Sequence, residues 1–294
     1  MLSLLVALMV LFYSFQSLFT RLYSAHYKGP DQTQAATVFS ICYGLFIALA
    51  TLIAGGFAFA PGWPTWLLGL VNAFMLLLYN RSMIEAGNRG SYSFLMVSDM
   101  FGGILVPMAF GVLLLGERLS RLQGAAVVLM LVSLVLMNAR GISLKGSSGA
   151  YYLWCALLFM ANGLYGTIMN LQAEIMDGAQ RTEMLTILFA ASALGAALPE
   201  LIRGDAARLR DGFRMGRKSL LFLLICCACA TAAANLLLYI LARMDSSILY
   251  TIDSGAVLVL SMLYSLLLFK ERPKPEQVLG MVTAVVSIVL INIG

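Results

Sequence analysis

Two aspartates carry the sharpest chemical signal in this sequence. Asp99 and Asp253 each lie inside an otherwise apolar run, and 154 residues separate them. An ionisable group in such a run is costly unless it faces a cavity or a partner. Two readings fit the pair. In one, both carboxylates face a common cavity, where one binds a substrate amine or cycles a proton as burial alters its affinity. In the other, both lie near the ends of their segments and cap neighbouring helices.

Further polar residues recur at helical spacing in other apolar runs. Gln16 and Ser17 belong to a Tyr-Ser-Phe-Gln-Ser segment, and Asn162 and Tyr165 occupy a comparable place later in the chain. Tyr79, Asn80 and Arg81 precede Glu85, and Asn235 and Tyr239 are their uncharged counterparts in the second half. Arg81 and Glu85 are four apart and stack on one helical face, which predicts an internal ion pair. The sharper alternative is a guanidinium that grips a substrate carboxylate through two parallel hydrogen bonds. Tyr250, beside Asp253, can stack on a planar or cationic ligand. Gln16, Ser17, Tyr79, Asn80, Arg81, Asp99, Asn162, Tyr165, Asn235, Tyr239, Tyr250 and Asp253 are therefore the candidate substrate contacts.

Catalytic signatures do not accompany them. The sequence has no HExxH, no GxSxG and no histidine-supported nucleophile. It also lacks the GxxxxGK[ST] loop that would tie it to ATP. Its single histidine is His26, and the five cysteines all sit in apolar runs, so the usual Cys/His metal spacings are missing. No enzyme activity, cofactor, metal or nucleic-acid partner is expected.

The elements that must position these residues follow from solvent preference. Of the 294 residues 61% are apolar and 11% charged, with a mean hydropathy of +0.90; soluble domains carry about 25% charge. A bilayer crossing needs roughly 20 mostly apolar residues. Breakers and charges divide the chain into ten such runs: 2–20, 34–54, 65–86, 92–115, 121–138, 150–170, 182–202, 219–242, 247–269 and 276–293. The first has no basic leader and no small-residue cleavage site, which predicts a retained span. The longest connection, Arg203 to Lys218, holds six basic residues and reads as a solvated or headgroup-facing loop.

Residues 89–138 align with residues 243–292 without a gap, and 16 of the 50 positions are identical. Shared Leu and Val mean little in apolar segments. The polar matches mean more: Arg89 with Arg243, Asp99 with Asp253, Glu117-Arg118 with Glu271-Arg272, Gln123 with Gln277, Ser133 with Ser287 and Asn138 with Asn292. Repeats of five spans each must insert in opposite senses, the plan of many secondary transporters. This predicts an all-α integral membrane protein of ten transmembrane helices, built as two inverted five-helix repeats, 1–142 and 143–294, around a central cavity.

Leu113-Leu114-Leu115-Gly116-Glu117-Arg118-Leu119-Ser120 closes the fourth run, and Leu268-Phe269-Lys270-Glu271-Arg272-Pro273 closes the ninth. With a short final span after each, the chain resembles the drug/metabolite transporter superfamily, specifically its EamA-like ten-helix members. The resemblance implies a cavity lined by the third, fourth, eighth and ninth helices, with contributions from the first and sixth. It further implies movement of amino acids or related metabolites. Small four-helix relatives carry a membrane glutamate in their first helix, where this chain has Gln16. Glu117 and Glu271 are expected to be structural, pairing with basic residues or helix ends.

The expected function is secondary active export of small metabolites such as amino acids or amine-containing compounds by alternating access. A lipid-linked or nucleotide-sugar translocase of the same superfamily, or a membrane-embedded enzyme, is the alternative. Small-molecule substrate, coupling protons and membrane lipids are the expected partners, in a monomer or homodimer of a bacterial plasma (inner) membrane. Alternating loops put 15 of the 19 basic residues on one side, which places both termini outside; the resemblance implies cytoplasmic termini.

Overall fold

The computed structural model describes residues 2–29, 32–87, 89, 92–138, 149–202, 206–268 and 274–293. Among them the chain is built of helices joined by short turns and loops, without strands. In lipid a helix satisfies its backbone groups internally, so long apolar runs have little other choice. The helices are α1 (Leu2–His26), α2 (Gln32–Ala54), α3 (Trp63–Gly87), α4 (Tyr92–Leu114), α5 (Arg121–Asn138), α6 (Gly149–Ile175), α7 (Arg181–Ile202), α8 (Ala206–Gly212), α9 (Arg217–Leu241), α10 (Ser246–Leu268) and α11 (Pro275–Ile293). Each of the ten apolar runs carries a helix, and α8 is an addition inside the basic connection. Six described helices are long and apolar enough to cross a membrane, and Arg121–Met137 and Pro275–Ile291 are shorter apolar stretches.

Two helices run past their expected ends. α1 continues six residues beyond the run that ends at residue 20, because Tyr23 is buried there and its hydroxyl donates to the Ala35 carbonyl at 3.1 Å. α6 continues to Ile175 and stops in a left-handed turn, with Asp177 at φ 49° and the Gly178 N–H bonded to the Ala173 carbonyl at 2.9 Å.

Two compact units arise, each drawing on both halves of the sequence. The first is Met1–Leu77 with Gln172–Ile240; the second is Leu78–Leu171 with Leu241–Gly294. In the first unit, α2 packs along α7, and Gly44 lets the α2 backbone approach Ala193. At one end the Tyr27 hydroxyl donates to the Gly212 carbonyl at 2.8 Å, joining the residues after α1 to α8. Elsewhere in this unit, Gln180 Oε1 accepts from the Gly62 N–H and the Thr65 hydroxyl, both at 2.7 Å.

In the second unit, α4 and α6 approach through glycines. A Cβ on Gly102 would overlap the Phe159 carbonyl, and Gly163 lies under the Val106 side chain. Small residues at such crossings allow backbones to close up in the absence of any hydrophobic drive from lipid.

The closest fit in this unit is α5 against α11. Ser133 Oγ donates to the Gly280 carbonyl at 2.6 Å, and Ser287 Oγ donates to the Ala126 carbonyl, also at 2.6 Å. Ser133 and Ser287 are equivalents at the 154-residue offset, and so are Ala126 and Gly280. The contact is self-complementary: a residue of α5 bonds its partner in the manner that its equivalent bonds in return. As the α5 position rises from 126 to 133, the α11 position falls from 287 to 280, so the two helices run antiparallel. Their first turns are also built alike. The Ser120 N–H donates to Gln123 Oε1 at 2.9 Å, and the Lys274 N–H donates to Gln277 Oε1 at 2.9 Å. Ser120 completes a capping box by accepting from the Gln123 N–H at 3.1 Å.

Candidate functional site

Eight of the twelve candidate residues fall in the second unit and four in the first. In the second unit the centre is Asp99, on α4. Its carboxylate is buried, Oδ2 accepts from the Tyr79 hydroxyl at 3.4 Å, and its backbone carbonyl accepts from Asn162 Nδ2 at 2.9 Å. Gly103 leaves the space that brings Asn162 this close. Thus α3, α4 and α6 each supply one of the three residues. Oδ1 of Asp99 is buried and has no hydrogen-bond partner among the described residues.

The repeat-equivalent acid has the same property. Asp253, on α10, has a buried Oδ1 without a partner among the described residues. Buried polar atoms in native structures are nearly always paired, so two orphaned carboxylate oxygens at equivalent positions call for a donor, which water, a proton, a cation or a ligand can supply. One turn earlier, Tyr250 is buried and its hydroxyl donates to the Gly166 carbonyl at 2.8 Å. That bond and the contact with Pro107 at Gly166 tie α10 to α6 and α4. Tyr165 and Asn80 are half-buried and Arg81 is exposed.

The expected Arg81 to Glu85 pair does not form. Glu85 instead pairs with Arg89, Oε2 to Nη2 at 2.5 Å. Both arrangements are four residues apart, but an acid N-terminal to its base is the better order along a helix.

Glu117 behaves as a helix-end residue. Its Oε1 accepts from the Ser246 N–H at 2.9 Å and from the Ser246 hydroxyl at 2.8 Å. Its Oε2 accepts from the Ser247 N–H at 3.2 Å and from the Ser247 hydroxyl. Gly116, at φ 73°, turns the chain after α4 so that this carboxylate reaches the start of α10. The negative charge complements the positive helix end. Asp245, next to that cap, has its carboxyl pushed above the ordinary range by burial and then by the Glu117 charge. Glu271 lies outside the described residues.

In the first unit, Gln16 Nε2 donates to the Tyr43 hydroxyl at 2.9 Å, while Oε1 is buried without a partner among the described residues. Thr20 donates to the Gln16 carbonyl at 2.8 Å and lies 3.3 Å from Cys226 Sγ. Ser17 is exposed and bonds back to the Tyr13 carbonyl at 3.1 Å. Asn235 donates to the Thr231 carbonyl at 2.9 Å, and the Arg181 guanidinium lies 4.9 Å from the Tyr239 ring centre. Sequence reasoning passes over Tyr43 and Arg181, and its candidate contacts leave out the fully buried Asn72, a polar residue of the third run whose amide nitrogen and oxygen both lack partners among the described residues. Asn72 was legible as a polar residue in an apolar run; Tyr43 and Arg181 gain meaning only from neighbours distant in sequence.

The described residues are helical without strands, and several of the helices are long and apolar enough to cross a membrane, which is the make-up of a multi-pass membrane protein. Residues 150–293, from α6 to the end of α11, match the EamA-like transporter family. Over those residues the chain carries an EamA-like transporter domain, which makes it an integral membrane transporter of the drug/metabolite type that handles a small-molecule substrate. No curated protein matches it. Among solved structures 28 chains match. One, described only as the crystal structure of a protein, superposes with a TM-score of 0.75 at 18% identity, covering 99% of this chain and 96% of that one. That likeness concerns the fold alone.

Proposed function

We infer that the protein is a secondary active exporter of small metabolites bearing an amine, amino acids among them, working by alternating access in a bacterial plasma (inner) membrane. The observation that carries this reading is the pair of equivalent acids, Asp99 and Asp253, each with a buried carboxylate oxygen that no described residue satisfies. An ammonium supplies the donors such oxygens need, and a coupling proton neutralises them when the substrate leaves. Tyr79 and Asn162 hold the Asp99 segment in place for that exchange.

Ten membrane-spanning helices in two inverted repeats, 1–142 and 143–294, around a central cavity complete the reading. Support comes from α5 and α11, which are equivalent in sequence, antiparallel and joined by reciprocal serine bonds. Inversion of related halves is what allows a site to open alternately to the two sides.

Exchange of radiolabelled amino acids and amines in proteoliposomes under an imposed pH gradient tests the function. Asp99→Asn and Asp253→Asn are expected to abolish or shift the pH dependence of exchange while the protein stays folded. Exchange with an unaltered pH profile in both variants removes the carboxylates from the site. Lipid flipping without solute exchange replaces this reading with a translocase.

A further inference from the structure

The first unit ends, on the side of α8, in a concentration of positive charge with a buried hydroxyl beneath it. α9 opens with Arg217-Lys218-Ser219 after Gly216. The Leu220 N–H bonds the Gly216 carbonyl at 3.1 Å, so the N–H groups of residues 217 to 219 precede the helix's own ladder. They form the positive end of a 25-residue helix. Cations are disfavoured at that end unless an anion joins them, yet Arg217 and Lys218 both stand there, exposed.

Two further observations point to an anion. Ser219 is fully buried and its Oγ has no hydrogen-bond partner among the described residues. A helical Cα–Cβ bond tilts toward the N-terminus, which sets the Ser219 Cβ toward the same helix start. Lys28 brings a third cation, its stem passing over Gly216 at van der Waals distance. The neighbouring acid, Asp211, is engaged by Arg214 at 3.5 Å. α8 is held beside the rim by the Tyr27 bond and by Gly212 seated on Gln34 and Val38.

Apolar surface continues directly from this charge. Phe213, Leu220, Leu221 and Leu224 are all exposed, three of them on the first two turns of α9. A phosphate at the helix start with hydrocarbon along those leucines has the layout of a phospholipid. We propose that the N-terminus of α9 binds the phosphate of an acidic phospholipid from the surrounding bilayer, held by Arg217, Lys218, the leading N–H groups and the Ser219 hydroxyl. Backbone donors and the helix dipole fit a phosphate there, and the cations select lipids of net negative charge.

Binding of short-chain phosphatidylglycerol and phosphatidylcholine to the detergent-purified full chain tests this, with inorganic phosphate as competitor. The expected result is tighter binding of phosphatidylglycerol that weakens about 30-fold in Arg217→Gln/Lys218→Gln, at about 1 kcal/mol per basic residue. Ser219→Ala should weaken it further, and Arg121→Gln should change nothing. If the double variant does not fold, the wild-type protein still decides: phosphatidylglycerol binding must fall steeply with salt while phosphatidylcholine binding does not. Equal binding of the two lipids, a double variant within threefold of wild type, or competition by inorganic phosphate at the lipid's own concentration overturns the proposal; the last would mark a free-anion site.

Discussion

Replacing Glu117 by alanine removes the carboxylate that receives the start of α10. Four donors converge on it: the Ser246 N–H and hydroxyl at 2.9 and 2.8 Å, the Ser247 N–H at 3.2 Å, and the Ser247 hydroxyl. Loss of a helix N-cap acceptor costs about 1 to 2 kcal/mol, and loss of a negative charge at the positive helix end costs about 0.3 to 1 kcal/mol. The two serine hydroxyls can turn to other acceptors, so the sum stays near 2 kcal/mol rather than four times a charged hydrogen bond. The assay is reversible unfolding in mixed micelles, run as a double-mutant cycle with Ser246→Ala/Ser247→Ala. Once Glu117 is gone, the serine substitutions should cost much less than they do in the wild-type protein, giving a coupling of about 1 kcal/mol or more. Additive costs, with a coupling below about 0.3 kcal/mol, would show that this carboxylate does not hold α10 and would refute the reasoning.

Asp245 adds a pH dependence of known sign. Its folded carboxyl takes up a proton more readily than in the unfolded chain, because of burial and the Glu117 charge. Its contribution is therefore fully present below the ordinary carboxylate range and is lost as pH rises through the raised folded value. Asp245→Asn should be more stable than wild type near neutrality and indistinguishable from it in acid, as thermal unfolding across pH would reveal. Ser133→Ala and Ser287→Ala should cost the same amount, about 0.6 kcal/mol each by the usual worth of such bonds in membranes; a clear inequality in denaturant unfolding argues against the local twofold. Gly102→Val drives a side chain into the Phe159 carbonyl and should destabilise by about 1 to 3 kcal/mol. Gly124→Ala, in open space on α5, should instead be neutral or stabilising by up to about 1 kcal/mol in the same measurement.

The placement of the long helices was legible because it depends on the solvent each run prefers and on backbone satisfaction in lipid, both local properties. The offset of 154 residues was legible for the same reason, since it is a pattern of residue types. It led directly to Ser133 with Ser287 and Gln123 with Gln277, which the fold uses in matching ways. The two aspartates also stood out from sequence alone, because a charge in an apolar run has few explanations.

Partner choice was different. Arg81 and Arg89 are equally spaced from Glu85, and helical order along with surroundings selected Arg89. The serines that receive Glu117 are 129 and 130 residues away, and nothing in either segment names the other. Ser17 and Gln16 are neighbours in one polar stretch, yet one is exposed while the other meets Tyr43 across helices. Residue type sets how much a group gains or loses on leaving water. Which donor or acceptor meets it depends on how helices distant in the chain cross, and only tertiary packing decides that.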